Sequence, residues 1–160
     1  GNLALAIKAL GPCTQHLQRL QPDTLVRLQG PFGDFLADSA RTPQLWIAGG
    51  VGITPFIARL RQGPVPQPVH LIYLVRRRDD AAFVDELDVH ARSDPGFTMT
   101  LHVDGGPAPD VEALLAAVDA LAQREVQLCG PPPLVAALKA ALARHGVAAG
   151  AIHSESFDFR

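Results

Sequence analysis

From Gln44 to the C-terminus, short apolar runs alternate with amphipathic stretches, and this limits the fold more than any other feature of the 160 residues. Residues 45–48 read as an apolar strand that runs into a glycine cluster, and residues 54–61 as an amphipathic helix. A Pro-rich stretch, 63–68, leads to a second strand at 69–75. Asp79 and Asp80 are placed to cap a helix whose apolar stripe includes Phe83, Val84 and Leu87. Residues 97–103 form a third strand. Asp110 then caps a helix with Val111, Leu114, Leu115, Val118 and Leu121 at helical spacing. Residues 126–129 are a fourth strand. Pro131, Pro132 and Pro133 open a helix that turns Leu134, Val135, Leu138 and Leu142 inward and stops at Gly146. Residues 151–157 are a fifth strand. Strands alternating with helices need right-handed crossovers, so the expectation is an α/β fold: a five-stranded parallel sheet with helices on both faces.

The first third reads differently. Residues 3–10 alternate like a strand, residues 13–20 suit a short helix ended by the turn at Gln21, Pro22 and Asp23, and residues 24–29 are β-rich. Two strands around one short helix cannot bury a core alone. Residues 1–33 are therefore expected to be the edge of a larger β domain, 34–43 a polar linker, and 44–160 the α/β domain.

Composition excludes several functions. The net charge is −2 and no basic block is longer than Arg76, Arg77 and Arg78, which argues against a nucleic-acid interface. Cys13 and Cys129, without CxxC spacing, suit free thiols in a reducing compartment better than a disulfide or a zinc site. The six histidines are scattered, no pair has defensible metal-ligand spacing, and no metal is expected. No Ser-His-Asp or paired-carboxylate arrangement stands out. No signal peptide is visible, and the longest apolar run, 134–143, is short and carries Lys139.

The glycine cluster carries the chemistry. Gly49, Gly50, Gly52, Thr54 and Pro55 fall between a strand and a helix, where free N–H groups can meet a pyrophosphate and no Cβ obstructs it. The same glycines also suit a purely steric turn. The pattern is GxGxxP, not the GxGxxG of ordinary dehydrogenases. Cys129, Gly130 and Pro131 follow the fourth strand, again at a strand end. A buried cysteine is equally a small hydrophobe. The arginine run follows the second strand, where a 2′-phosphate can be read by bidentate contact. It is equally a solvated charge run balanced by Asp79 and Asp80.

The segments IAGGVGITPF, LIYLVRRRDDAAFVDEL, VQLCGPPPLVAALKAAL and IHSESFDFR resemble, in order and spacing, the nicotinamide-binding domain of the ferredoxin-NADP reductase superfamily. The flavour is that of its ferric reductase and NADPH oxidase branch, particularly the bacterial members. Upstream, AIKALGPCTQHLQRL and VRLQGPFGDF resemble the second half of that family's FAD-binding barrel. The family's Arg-x-Tyr/Phe-Ser flavin signature is absent, and truncation is the expected reason, with Gly1 not the native start.

The resemblance implies site residues at matching positions. Gly11, Cys13 and Thr14 match the turn that cradles the FAD pyrophosphate, although Thr14 also reads as a helix cap. Gly49, Gly50, Gly52, Thr54 and Pro55 match the nicotinamide-nucleotide loop, and Arg77 the position nearest a 2′-phosphate. Cys129, Gly130 and Pro131 match the Cys-Gly-Pro motif, whose thiol helps place the donor carbon. Glu155 and Phe157 match an acidic residue and an aromatic that approach the flavin; without the resemblance they read as a surface carboxylate and a core strand residue.

The implied function is that of an NAD(P)H-dependent flavoprotein reductase using FAD with NADP or NAD, and passing electrons to a haem, ferric or iron–sulfur acceptor. An N-terminal membrane haem domain, with the reductase at the cytoplasmic face, belongs to the same expectation. The rival is a nucleotide-binding module without activity of its own.

Overall fold

The computed structural model describes residues 4–9, 11–30, 35–36, 42–106 and 108–156. It divides into two compact units, Gly1–Asp34 and Phe35–Arg160.

In the first unit the described residues contain one helix, α1 (Pro12–Leu17). Proline at its start lacks only an N–H that would have no helical partner. The Thr14 hydroxyl accepts from the Gly11 N–H at 3.0 Å and donates to the Gly11 carbonyl at 3.1 Å, closing the first turn. The strands expected at 3–10 and 24–29 are not formed among the described residues. Alternation marks a strand's two faces but supplies no neighbour, and without a ladder partner there is no strand. Leu25 is 98% exposed, and Leu5, Val26 and Leu28 are exposed as well.

The second unit contains a five-stranded parallel sheet in the order β3-β2-β1-β4-β5. The strands are β1 (Gln44–Gly49), β2 (Val69–Val75), β3 (Phe97–Val103), β4 (Glu125–Gly130) and β5 (Ile152–Ser156). The three central strands are nearly continuous apolar runs, as burial on both faces demands. The edge strands β3 and β5 carry exposed positions instead.

Period-two alternation sends the central side chains into two cores. On one face Leu45, Ile47, Ile72, Leu74, Val126 and Leu128 pack beneath α4 (Val111–Ala116) and α5 (Pro132–Arg144). On the other Trp46, Ala48, Leu71, Tyr73 and Cys129 pack beneath α2 (Thr54–Leu60) and α3 (Val84–Ser93). Phe35 and Leu36, expected in the linker, pack against this second core, with the Phe35 ring edge-on to Phe56 at 5.8 Å. The rest of the expected linker up to residue 41 lies outside the described residues.

Three helix boundaries differ from expectation, the first being that of α1, which ends at Leu17 and not at Leu20. Asp79 and Asp80 do not cap α3; they lie in a 3₁₀ turn, Arg78–Asp80, and the helix begins after Phe83, which is left-handed at φ 63°. The Tyr73 hydroxyl accepts the Ala82 N–H at 3.1 Å and holds this turn against β2, which delays the helix. Asp110 does cap α4, accepting from the Ala113 N–H at 3.0 Å. That helix nevertheless ends at Ala116, and Val118 and Leu121 lie beyond it, across a left-handed Ala120.

Candidate functional site

Strand order fixes where a site can form. The chain runs outward from β1 through β2 to β3, then returns to the other side of β1 to lay down β4 and β5. The order therefore reverses between β1 and β4, and a crevice opens outside their carboxyl ends. Gly49 ends β1 and Gly130 ends β4.

The two turns above these strands touch backbone to backbone. A Cβ on Gly130 would lie 3.2 Å from the Gly49 Cα, and a Cβ on Gly52 would lie 2.6 Å from the Cys129 carbonyl carbon. Gly50 differs: it is left-handed at φ +55°, and nothing stands within 4 Å of where its Cβ would be. The 3₁₀ turn Gly50–Ile53 runs directly into α2, where the Thr54 hydroxyl donates to the Val51 carbonyl at 3.1 Å and Pro55 occupies the first turn. An anionic group above this turn meets an open, glycine-rich loop at a helix start.

Cys129 and Glu155 stand in register on β4 and β5. The thiol is buried, at 1% exposure. Burial, and secondarily the Glu155 charge, push it up to about 12, so it is a neutral S–H at ordinary pH and not a thiolate nucleophile. Cys129, Gly130, Pro131 and Glu155 therefore share one end of the sheet with Gly49, Gly50, Gly52, Thr54 and Pro55. Phe157 lies outside the described residues.

Arg77 is placed farther along the same edge, beyond the end of β2. Its side chain is 76% exposed and forks onto Asp80, with Nη2 to Oδ1 at 3.1 Å and Nε to Oδ2 at 3.4 Å. Next to it a depression of about 410 Å³ is lined by Arg78, Ala81, Phe83, Val84, Asp85 and Glu86. This hollow lies at the start of α3, not over the glycine loop. Sequence reasoning missed Tyr73, whose hydroxyl anchors the turn that carries Arg77. Its signal was an aromatic with a polar tip in a strand that is aliphatic apart from His70 at its start.

Gly11 and Thr14 close the start of α1, and Cys13 is exposed beside them. Both cysteines are free thiols in this structure. Among the described residues no group of His, Cys, Asp or Glu could hold a metal, and no helix is long and apolar enough to cross a membrane.

Residues 46–140 match the family described as Oxidoreductase NAD-binding domain. The chain is 30% identical over 143 residues to the ferredoxin–NAD(P)(+) reductase component of naphthalene 1,2-dioxygenase/salicylate 5-hydroxylase systems from Ralstonia, covering 82% of this chain and 44% of that protein. It is also 30% identical over 164 residues to NADH-cytochrome b5 reductase 1 of Ajellomyces capsulatus, covering 88% of this chain and 52% of the relative. Among solved structures, the Amycolatopsis cytochrome P450 reductase GcoB superposes with a TM-score of 0.68 at 28% identity, over 85% of this chain and 46% of that one. The chain spans about half the length of these relatives. The fold, the strand-end position of the glycine loop and these likenesses agree: the chain belongs to the oxidoreductase NAD-binding domain family, within the ferredoxin-NADP reductase superfamily.

Proposed function

We propose that the chain is the nicotinamide-nucleotide-binding part of an NAD(P)H-dependent flavin reductase. The observation that carries this reading is the interlock of the Gly49–Gly52 turn with the end of β4, which sets an open phosphate loop and the Cys129–Glu155 pair at one switch point. The pyrophosphate rests on the turn at Gly49, Gly50 and Gly52, with Thr54 and Pro55 shaping the start of α2. Cys129 places the nicotinamide: its neutral thiol adds little bulk and no charge, and Gly130 and Pro131 keep the strand end narrow. Glu155 supplies the carboxylate beside it, and Phe157 the aromatic neighbour that the family resemblance implies. Arg77 is the residue assigned to a 2′-phosphate.

Residues 1–33 are assigned to the end of an FAD-binding barrel and residues 44–160 to the nucleotide domain. Gly11, Cys13 and Thr14 are the residues that would hold the FAD pyrophosphate, and the open Gly11 position, with nothing within 4 Å of a Cβ, fits that use. Held by those residues, FAD would supply the redox chemistry between NAD(P)H as hydride donor and a haem, ferric or iron–sulfur acceptor. The finer placement, in the ferric reductase and NADPH oxidase branch with a membrane haem domain as acceptor and the reductase at the cytoplasmic face, is supported by the likeness of the four sequence segments alone.

The test is calorimetric titration of the chain with NADH and NADPH, followed by reduction of FAD supplied on a complete flavin barrel. Binding of at least one nucleotide and NAD(P)H-dependent bleaching of the flavin are expected. Binding without bleaching selects the inactive nucleotide-binding module, and no binding of either nucleotide overturns the proposal.

A further inference from the structure

We propose that Gly52 is a positioning residue for Cys129: its missing Cβ lets the backbone of the first loop bear on the Cys129–Gly130 peptide and fixes where the thiol stands. The inference rests on the nucleotide reading above and deepens it.

A Cβ at position 52 would overlap the Cys129 carbonyl oxygen, and would lie 2.6 Å from its carbon and 2.9 Å from the Gly130 nitrogen. All three are backbone atoms of a central strand paired on both sides, so none can swing away as a side-chain tip would. The neighbouring glycines separate into two kinds. Gly50 needs its positive φ but has open space around it, so its freedom serves conformation and access. Gly49 and Gly52 face the second turn. A Cβ on Gly49 would lie 2.5 Å from Leu134 Cδ2 and 3.1 Å from Pro131 Cδ, and Gly130 rests against the Gly49 backbone in return. Glycine spacing in this motif is usually credited to the approach of a phosphate. Here a Cβ at either position 49 or position 52 would already overlap the chain itself. The loop assigned to the pyrophosphate and the strand end assigned to the nicotinamide therefore form one rigid piece. A shift of an ångström at a reacting centre can cost about a hundredfold in rate, so a contact that fixes the thiol bears on the chemistry as well as on the phosphate.

The test uses the 160-residue chain and its Gly52→Ala variant. Alkylation of Cys129 by iodoacetamide is followed by peptide mass spectrometry, NADH and NADPH binding by calorimetry, and folding by urea titration. In the wild type Cys129 is protected while the exposed Cys13 reacts. In Gly52→Ala, Cys129 alkylation is expected to accelerate by roughly tenfold or more in a chain that still unfolds cooperatively. A folded variant with Cys129 protected as in the wild type overturns the proposal, because Gly52 then does not fix where the thiol stands. Should Gly52→Ala fail to fold, Gly130→Ala decides, because its Cβ would press on the Gly49 backbone at 3.2 Å, a milder overlap across the same contact. That variant should speed Cys129 alkylation, and wild-type protection in it overturns the interlock. Failure of the wild type to bind either nucleotide overturns the nucleotide reading and is scored separately from the thiol comparison.

Discussion

The Cys129 thiol and the Glu155 carboxylate occupy partner positions on adjacent parallel strands, at the carboxyl end of the sheet. Burial, with the Glu155 charge second, raises the thiol from its ordinary value of 9.0 to about 12. The folded protein keeps this proton in a range where the unfolded chain releases it. The contribution to stability is therefore complete below pH 9 and is lost as pH rises from 9 toward 12. Tyr73, raised from 10.0 to about 12 chiefly by burial, adds a second loss that begins only above pH 10. Urea midpoints should fall between pH 9 and 10 in the wild type. Cys129→Ala should flatten that interval and leave the steeper fall above pH 10. An unchanged slope in the variant would mean that the thiol is not held protonated.

Arg77 reaches the edge of the candidate site already forked onto Asp80. A 2′-phosphate must compete with that carboxylate for the guanidinium, whereas a 2′-hydroxyl need not. Arg77→Ala should weaken NADPH by about tenfold, the loss of one charge-assisted contact, and barely alter NADH. Asp80→Asn should move NADPH in the opposite direction by relieving the competition. Equal effects on both nucleotides, read by calorimetry, would remove Arg77 from the 2′-phosphate position.

Trp46 is the largest fully buried side chain, stacked on Phe56 at 5.2 Å, and its Nε1 donates to Gln44 Oε1 at 2.7 Å. Trp46→Ala removes both the ring and the donor and should cost about 3–5 kcal/mol. Trp46→Phe keeps most of the apolar volume but leaves the Gln44 oxygen without its donor in a buried place, a loss of about 1–3 kcal/mol. Urea unfolding should rank the two variants in that order.

The sheet was legible where burial on both faces forced a continuous apolar run, as in β2, whose boundaries fell where the sequence placed them; those of the half-exposed edge strand β3 did so as well. Helix starts were legible where a single local contact decides them, as Asp110 does for α4. They were not legible where a distant residue decides. The start of α3 depends on Tyr73 reaching Ala82, and on a left-handed Phe83 that no propensity favours. The strands expected near the N-terminus failed for a related reason, since pairing is a property of the partner and not of the pattern. In the site, glycine and cysteine positions followed from motif spacing. The steric reason for Gly52, contact with a strand about eighty residues away, is visible only in three dimensions.

The isolated chain should bind nicotinamide nucleotide far better than FAD. Gly49, Gly50 and Gly52 stand on a sheet whose central strands are buried on both faces, so their geometry is fixed before a ligand arrives. Gly11, Cys13 and Thr14 stand at the start of a six-residue helix with no buried residue. Among the described residues of that unit there is no strand pairing to hold the turn in place. A ligand binding there must order its own site, and contacts divided between two half-sites are not retained by one. Purified protein should be colourless, and added FAD should wash out on gel filtration, while NADH or NADPH titrates against the same preparation by calorimetry. Retention of stoichiometric yellow flavin through purification would show that the Gly11–Thr14 turn is a sufficient flavin site, and would overturn its assignment as half of one.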